Sequence, residues 1–205
     1  RPQQQQEYLS RLSHKNHVDG CLVLSLTPTP AQTQKFIRND IPIVLIDASH
    51  ERLSHVYVDD VRGGRMATRH LLDLGHEKIA YLTDYLHNPF HRSAAAHRYQ
   101  GYRQALQDAC LPCREEYFIQ GEPRRQSAKR MAIALLSTPD PPSAIFTSCD
   151  TQAVGVLDAA QELGLSVPGD LSLIGYDGIE TAEFINLTTI SQPLYKSGQI
   201  GARML

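Results

Sequence analysis

The chain has 205 residues, 41% of them hydrophobic, with 20 basic and 22 acidic side chains and a formal net charge of -2. That is enough apolar material for one large core or two small ones, and the balanced charge excludes a strongly basic nucleic-acid surface for the chain as a whole. No run approaches the roughly 18 consecutive apolar residues of a membrane helix, and the start shows no secretory pattern, reading instead as a helix already under way.

In chain order, the first helical pattern covers 6–15. A strand-like run at 21–25 follows, where Cys21 serves as a small hydrophobe. A helix is expected over 33–39, then strands at 43–47 and 56–58. The next helix, 63–74, stops at Gly75, a residue suited to the left-handed turn at a helix end. A strand at 78–83 leads into a polar, irregular loop, 84–93. Arg98 then opens a helix over 99–109, and a strand is expected at 117–120. A helix over 126–137 is halted by Thr138-Pro-Asp-Pro-Pro142. The apolar run 144–147 ends in Ser148-Cys149-Asp150, a helix covers 151–163 to the stop at Gly164, and a strand at 171–175 ends in Tyr176-Asp177. Short apolar strands alternating with amphipathic helices specify an α/β fold with parallel sheets flanked by helices. Gly75 reads as a seam between two α/β lobes, each with its own small core.

In open parallel sheets, ligands sit beyond the carboxyl ends of the strands, which singles out Cys149, Asp150, Tyr176 and Asp177, with Arg98 just past the polar loop. Asp150 is placed to cap the helix that follows it. Asp177 precedes a glycine, as turns favour, and its carboxylate also suits ligand hydroxyls. Arg98 offers a rigid fork of donors for ligand oxygens. His87 and His91 are four apart, but Pro89 between them argues against a helix presenting both to a metal. There is no GxSxG elbow and no phosphate loop ending in Gly-Lys-Ser/Thr. Gly63-Gly64 is an incomplete dinucleotide fingerprint. The chain thus reads as a non-enzyme without metal or cofactor. Cys110-Leu-Pro-Cys113 has the spacing of a redox pair but follows a helix, where a turn is needed, and no second pair completes a zinc site. A reducing, cytosolic setting is the simpler reading of the cysteines.

Six segments, in order, carry a resemblance to a known family: VDG at 18–20, VDDVRGGRMATRHLLDLGHEKIAYL at 58–82, RYQGYRQAL at 98–106, CDTQAVG at 149–155, LGLSVPGDLSLIGYDG at 163–178 and LTTISQPLYKSGQIGARML at 187–205. Together they resemble the effector-binding core of LacI-family bacterial transcription regulators, a variant of the periplasmic-binding-protein fold. The resemblance implies two Rossmann-like lobes with an effector cleft between them. Residues 1–75 with 190–205 form one lobe and 76–189 the other. It also implies that a DNA-binding helix-turn-helix and a first strand and helix lie outside this chain, and that the closing elements follow it. The implied function is binding of a small effector, a sugar or a related molecule, that alters operator affinity in a cytoplasmic homodimer. The helix from Gln152 and the Thr181–Ile185 segment would contribute to that dimer. A periplasmic sugar-binding protein of a transport system is the alternative on the same fold.

By the same resemblance, Arg98 and Asp177 bond effector oxygens, Asp150 lies close by, and Leu194 occupies a ring-packing position. Two positions depart from the family pattern. Cys149 stands where sugar-binding members carry an asparagine, and a thiol is only a weak donor and acceptor. Gly121-Glu122-Pro123 lacks the usual stacking aromatic, leaving Phe90 or Tyr85 to supply a ring.

Overall fold

The computed structural model describes residues 2–14, 18–86 and 94–205. They divide into two compact units, one built from the chain up to Val58 together with Pro193–Leu205, the other from the residues between.

The first unit holds a parallel sheet in the order β1-β2-β3, formed by β1 (Cys21–Leu24), β2 (Ile43–Ile46) and β3 (Ser54–Val56). Helices α1 (Pro2–Leu12) and α2 (Pro30–Arg38) precede β1 and β2. The start of α2 is locally encoded. Thr29 and Gln32 exchange side-chain-to-backbone hydrogen bonds in a capping box, and Pro30 occupies the first turn, where its missing N–H costs nothing. Leu9, Val23, Phe36, Ile43 and Leu45 form the core. The chain returns to this unit as α8 (Leu194–Met204), which lies so close on β2 that a Cβ on Gly201 would meet Ile46 at 2.8 Å.

The second unit is a five-stranded parallel sheet, ordered β5-β4-β6-β7-β8, from β4 (Ile79–Asp84), β5 (Phe118–Gly121), β6 (Ala144–Thr147), β7 (Ser172–Asp177) and β8 (Thr189–Ser191). Successive side chains of a strand point to opposite faces, and two cores result. Ile79, Tyr81, Phe146, Ile174 and Tyr176 pack with Ala67 and Leu71 of α3 (Asp60–Asp73) and Tyr102 and Leu106 of α4 (Ala94–Asp108). Ala80, Leu82, Ile145 and Leu173 pack with Ala128 and Ala132 of α5 (Arg125–Leu136) and Ala153 and Val156 of α6 (Asp150–Glu162). Both strand-facing sides are therefore covered, as a parallel sheet requires. A short helix, α7 (Glu180–Phe184), precedes β8.

The expected seam at Gly75 is not where the compact units divide. They part between Val58 and Asp59, and α3 is in the second unit. The reason is close packing of α3 on α4. A Cβ on Gly64 would lie 2.2 Å from the carbonyl oxygen of Arg98, and one on Gly101 would lie 2.1 Å from that of Val61. Gly75 is a helix stop, at φ +90. In the same way the second unit keeps β8, and the return begins at Pro193 rather than near residue 190.

Five helices end with one pair of reversed hydrogen bonds. The amide after the stop residue reaches back five positions (Ile41, His76, Leu111, Leu165 and Leu187), while the stop residue itself reaches back three. The stop residues, in chain order, are Asp40, Gly75, Cys110, Gly164 and Asn186, all at positive φ.

Candidate functional site

The carboxyl ends of β4, β6 and β7 meet the start of α4 in the second unit, and Arg98 is the centre of the arrangement. Its guanidinium is buried. Nε donates to Asp60 Oδ1 at 2.8 Å, Nη1 donates to the backbone oxygen of Ser148 at 2.5 Å, and Nη1 lies 3.5 Å from Asp177 Oδ1. The guanidinium carbon sits 3.7 Å from the centre of the Tyr176 ring, a cation–π stack. Burial alone would disfavour the charged form, but the Asp60 carboxylate, as charge and as acceptor, reverses this and holds Arg98 protonated above its ordinary value. Nη2 donates no hydrogen bond among the described residues. Nε and Nη1 of Arg98 are thus committed to partners within the protein.

Local sequence places these partners. Asp59 caps α3, accepting from the amide of Arg62 at 2.9 Å, and so sets Asp60 in the first turn. Gly63 makes room for Tyr176, since a Cβ there would lie 2.0 Å from its hydroxyl oxygen. The Gly63-Gly64 pair is therefore explained by packing on both sides of one helix.

Asp177 ends β7 at φ 114, a backbone conformation that costs a non-glycine residue about 1–3 kcal/mol. Its backbone oxygen accepts from the amide of Gln192 at 2.9 Å, and its Oδ1 accepts from Gln192 Nε2 at 2.7 Å. Burial pushes the Asp177 carboxyl up to about 6, against the lowering effects of Arg98 and Gln192; Asp150 and Asp60 add to the rise. The side chain keeps 25% of its surface exposed, so it faces outward with acceptor capacity remaining.

Asp150 is different. It is fully buried, and three donors use its oxygens. The amides of Gly178 (2.8 Å) and Ile179 (3.0 Å) bond Oδ2, and the Thr189 hydroxyl bonds Oδ1 at 2.6 Å. Gly175 admits this carboxylate, because a Cβ there would lie 2.2 Å from Oδ1. The expectation that Asp150 caps α6 is corrected: Cys149 is the cap residue, it makes no side-chain cap bond, and Asp150 is the first residue inside the helix. Its carboxylate turns across to the segment after β7, pinning the turn that holds Asp177 at its strained angle.

Cys149 is half-buried. Burial pushes its thiol up to about 11, and the nearby Asp177 and Asp84 add to this, so it is a neutral thiol at pH 7. The Ser148 hydroxyl has one proton for two acceptors, Gln152 Oε1 at 2.8 Å and, at the end of β4, Asp84 Oδ1 at 3.3 Å, and the shorter contact is favoured. Gln152 is fully buried, and its Nε2 has no hydrogen-bond partner among the described residues.

The structure therefore brings Arg98, Asp177, Cys149 and Asp150 together. Leu194 opens α8 with its side chain exposed and belongs to the first unit. Phe90, His87 and His91 lie outside the described residues, and Tyr85 is exposed. Sequence reasoning missed Asp60, Asp84 and Gln192. The doubled Asp59-Asp60 before a helix was a readable signal of a cap plus one spare carboxylate; Gln192 had none. In the first unit, Ser25 and Asp47 follow β1 and β2 at positive φ, and the Ser25 hydroxyl donates to Asp47 Oδ2 at 2.8 Å. Among the described residues, no three His, Cys, Asp or Glu side chains are grouped to hold a metal, and no helix is long and apolar enough to cross a membrane.

Comparison with known proteins gives a consistent picture. The family described as periplasmic binding protein-like domain matches residues 68–205. The HTH-type transcriptional repressor PurR of Photorhabdus laumondii is 35% identical over 208 aligned residues, which cover 98% of this chain and 59% of the repressor. A LacI-family regulatory protein from Chloroflexus aggregans superposes with a TM-score of 0.83 at 30% identity, covering 96% of this chain and 71% of that one. A LacI family transcriptional regulator from Enterococcus faecium, solved with bound ribose, gives a TM-score of 0.82 at 32% identity, covering 97% and 73%. The chain spans about six-tenths of the length of the curated relatives it matches.

Proposed function

The chain belongs to the periplasmic binding protein-like domain family, and from that premise we propose that it is the effector-binding module of a LacI-type DNA-binding transcriptional regulator. The observation that carries this reading is the match, over nearly the whole chain, to regulators of that family, one of them holding ribose. The effector is a sugar or a sugar-like polar molecule. Asp177 accepts hydrogen bonds from its hydroxyls, and the Arg98 guanidinium donates to its oxygens. Asp60 and Tyr176 position Arg98, and Asp150 positions Asp177 by pinning residues 178 and 179.

The chemistry is binding, without bond making. Among the described residues no nucleophile is paired with a base at this site: the Cys149 thiol is neutral, and the carboxylates are held by Arg98, by backbone amides or by hydroxyls. An effector that prefers one conformational state changes operator affinity by its differential affinity for that state, and DNA changes effector affinity by the same factor. The module works in the cytosol as a homodimer, matching the two-fold logic of paired half-sites. Phe184 on α7, 86% exposed, is the apolar residue best placed to be covered in the dimer.

Calorimetry of the intact protein with ribose, other pentoses, hexoses and disaccharides tests the site. Arg98→Lys keeps a cation near Asp60 but loses the planar fork, and Asp177→Asn loses the charged acceptor. Each is expected to weaken the binding sugar by roughly tenfold to a hundredfold, the range for hydrogen bonds to charged groups. Two folded variants that bind as tightly as the parent would overturn the assignment. Gel-shift titration of upstream DNA with and without that sugar, and light scattering at micromolar concentration, test operator linkage and the dimer. No shift in DNA affinity, or a monomer, would count against those parts.

A further inference from the structure

Four of the five helix stops with reversed hydrogen bonds use Asp, Gly or Asn, the residue types that tolerate the left-handed conformation. The fifth, after α4, uses Cys110 at φ 56. A thiol there is conformationally disfavoured relative to glycine, and packing gives no reason for it, because Cys110 is exposed. Three residues on stands a second exposed free thiol, Cys113. Pro112, between them, fixes one backbone angle and lacks an amide, which limits the shapes of the connecting loop. Both cysteines line one open cavity of about 700 Å3 along α4, together with Tyr99, Arg103, Gln107 and Leu111. The Tyr99 hydroxyl lies 3.9 Å from Cys113 Sγ, and the Arg103 guanidinium lies 5.9 Å from the Tyr99 ring centre.

We infer that Cys110 and Cys113 form a reversible dithiol–disulfide site on the outer face of α4, open to small oxidants such as hydrogen peroxide. The Cys110 thiolate attacks one peroxide oxygen, giving a sulfenic acid and hydroxide. The Cys113 thiolate then attacks that sulfur and expels a second hydroxide. With the two thiol protons, the sum is two thiols and one peroxide to one disulfide and two waters. A dithiol reductant reverses it by thiol–disulfide exchange. The site is distinct in chemistry from the effector site and does not depend on it: Cys149 is half-buried and Cys21 is buried, so the exposed pair reacts first.

The test uses the intact, fully reduced protein and one equivalent of hydrogen peroxide. The expected result is loss of two of the chain's four thiols, an intact mass lower by two hydrogens, a peptide map joining Cys110 to Cys113, and full recovery with dithiothreitol. Cys113→Ser is expected to show no intramolecular bond. Cys110→Gly is expected to lose the disulfide and, in the reduced state, to raise the thermal midpoint, because glycine is at ease in the left-handed stop. Four thiols remaining after peroxide, a sulfinic acid on either cysteine, or bonds only between chains would overturn the inference. So would a lower midpoint for reduced Cys110→Gly, since it would mean that the Cys110 side chain is held there by packing.

Discussion

Asp150, the first residue of α6 just beyond β6, and Asp177, the last residue of β7, lie at the carboxyl ends of neighbouring strands, and their surroundings divide them completely. Asp150 is sealed from solvent and accepts from two amides and a hydroxyl. Asp177 keeps part of its surface open, shares Arg98 at 3.5 Å, and is held at a backbone angle that few side chains adopt. The same functional group is a tie in one case and a ligand-facing acceptor in the other. Strand-end position nominated both. Lone pairs already in use separate them, and the tie is what keeps the acceptor in place.

Asp150→Ala should have the largest effect. Alanine removes the carboxylate, so the buried amides of Gly178 and Ile179 and the Thr189 hydroxyl lose their acceptor. The cost expected is about 3 kcal/mol or more, read as a lower urea midpoint. Ligand affinity should fall with it, because the turn carrying Asp177 is released. A variant that retains the parent's midpoint would erase the distinction between the two carboxylates.

Asp177→Asn should act through pH and in the opposite sense. The carboxyl titrates at about 6 in the folded chain, against 3.8 for the ordinary group, so the folded state holds an extra proton between those values. That contribution is complete below about pH 4 and is lost as pH rises through about 6. It amounts to about 3 kcal/mol. The neutral asparagine keeps it at all pH values, so the variant should be the more stable at pH 7 and match the parent near pH 4. Equal differences at the two pH values would remove ionisation of Asp177 as the cause. Ligand affinity of the parent should also weaken below pH 6, as the acceptor takes up its proton.

Cys149→Asn is the smallest expected change in stability and the sharpest in specificity. Cys149 is a cap residue without a cap bond, and asparagine is a favoured cap, so a gain of about 0.5–1 kcal/mol is expected. The amide also brings a strong donor and acceptor beside Asp177. Calorimetry should then show tighter sugar binding. Unchanged affinity across the sugar panel would mean that this position does not face the ligand.

Much of the fold was legible. Strands at 21–25, 43–47, 78–83, 144–147 and 171–175 match β1, β2, β4, β6 and β7 closely, because short apolar runs between helix stops admit little else. The strand expected at 56–58 lies at Ser54–Val56, and the helix after the polar loop begins at Ala94, several residues before Arg98. Short α7 and the three-residue β8 escaped notice, since neither spans two full periods of its pattern. Arg98 and Asp177 were found from strand ends and resemblance. Asp60 was not, because its role depends on α3 packing against α4 through Gly64 and Gly101, a relation between helices 38 residues apart in their key pair.

Periodicity, stops and caps are interactions between near neighbours in the chain, so the amino-acid order alone determined the alternation of strands and helices and the ends at which polar residues gather. Assigning a job to each polar residue is a matter of burial and of which donors reach it. Those partners come from elements far apart in sequence: Thr189 for Asp150, Asp60 for Arg98, Gln192 for Asp177. Only the tertiary structure decided them, because a hydrogen bond depends on a separation of about 3 Å in space, whatever the number of residues between its ends.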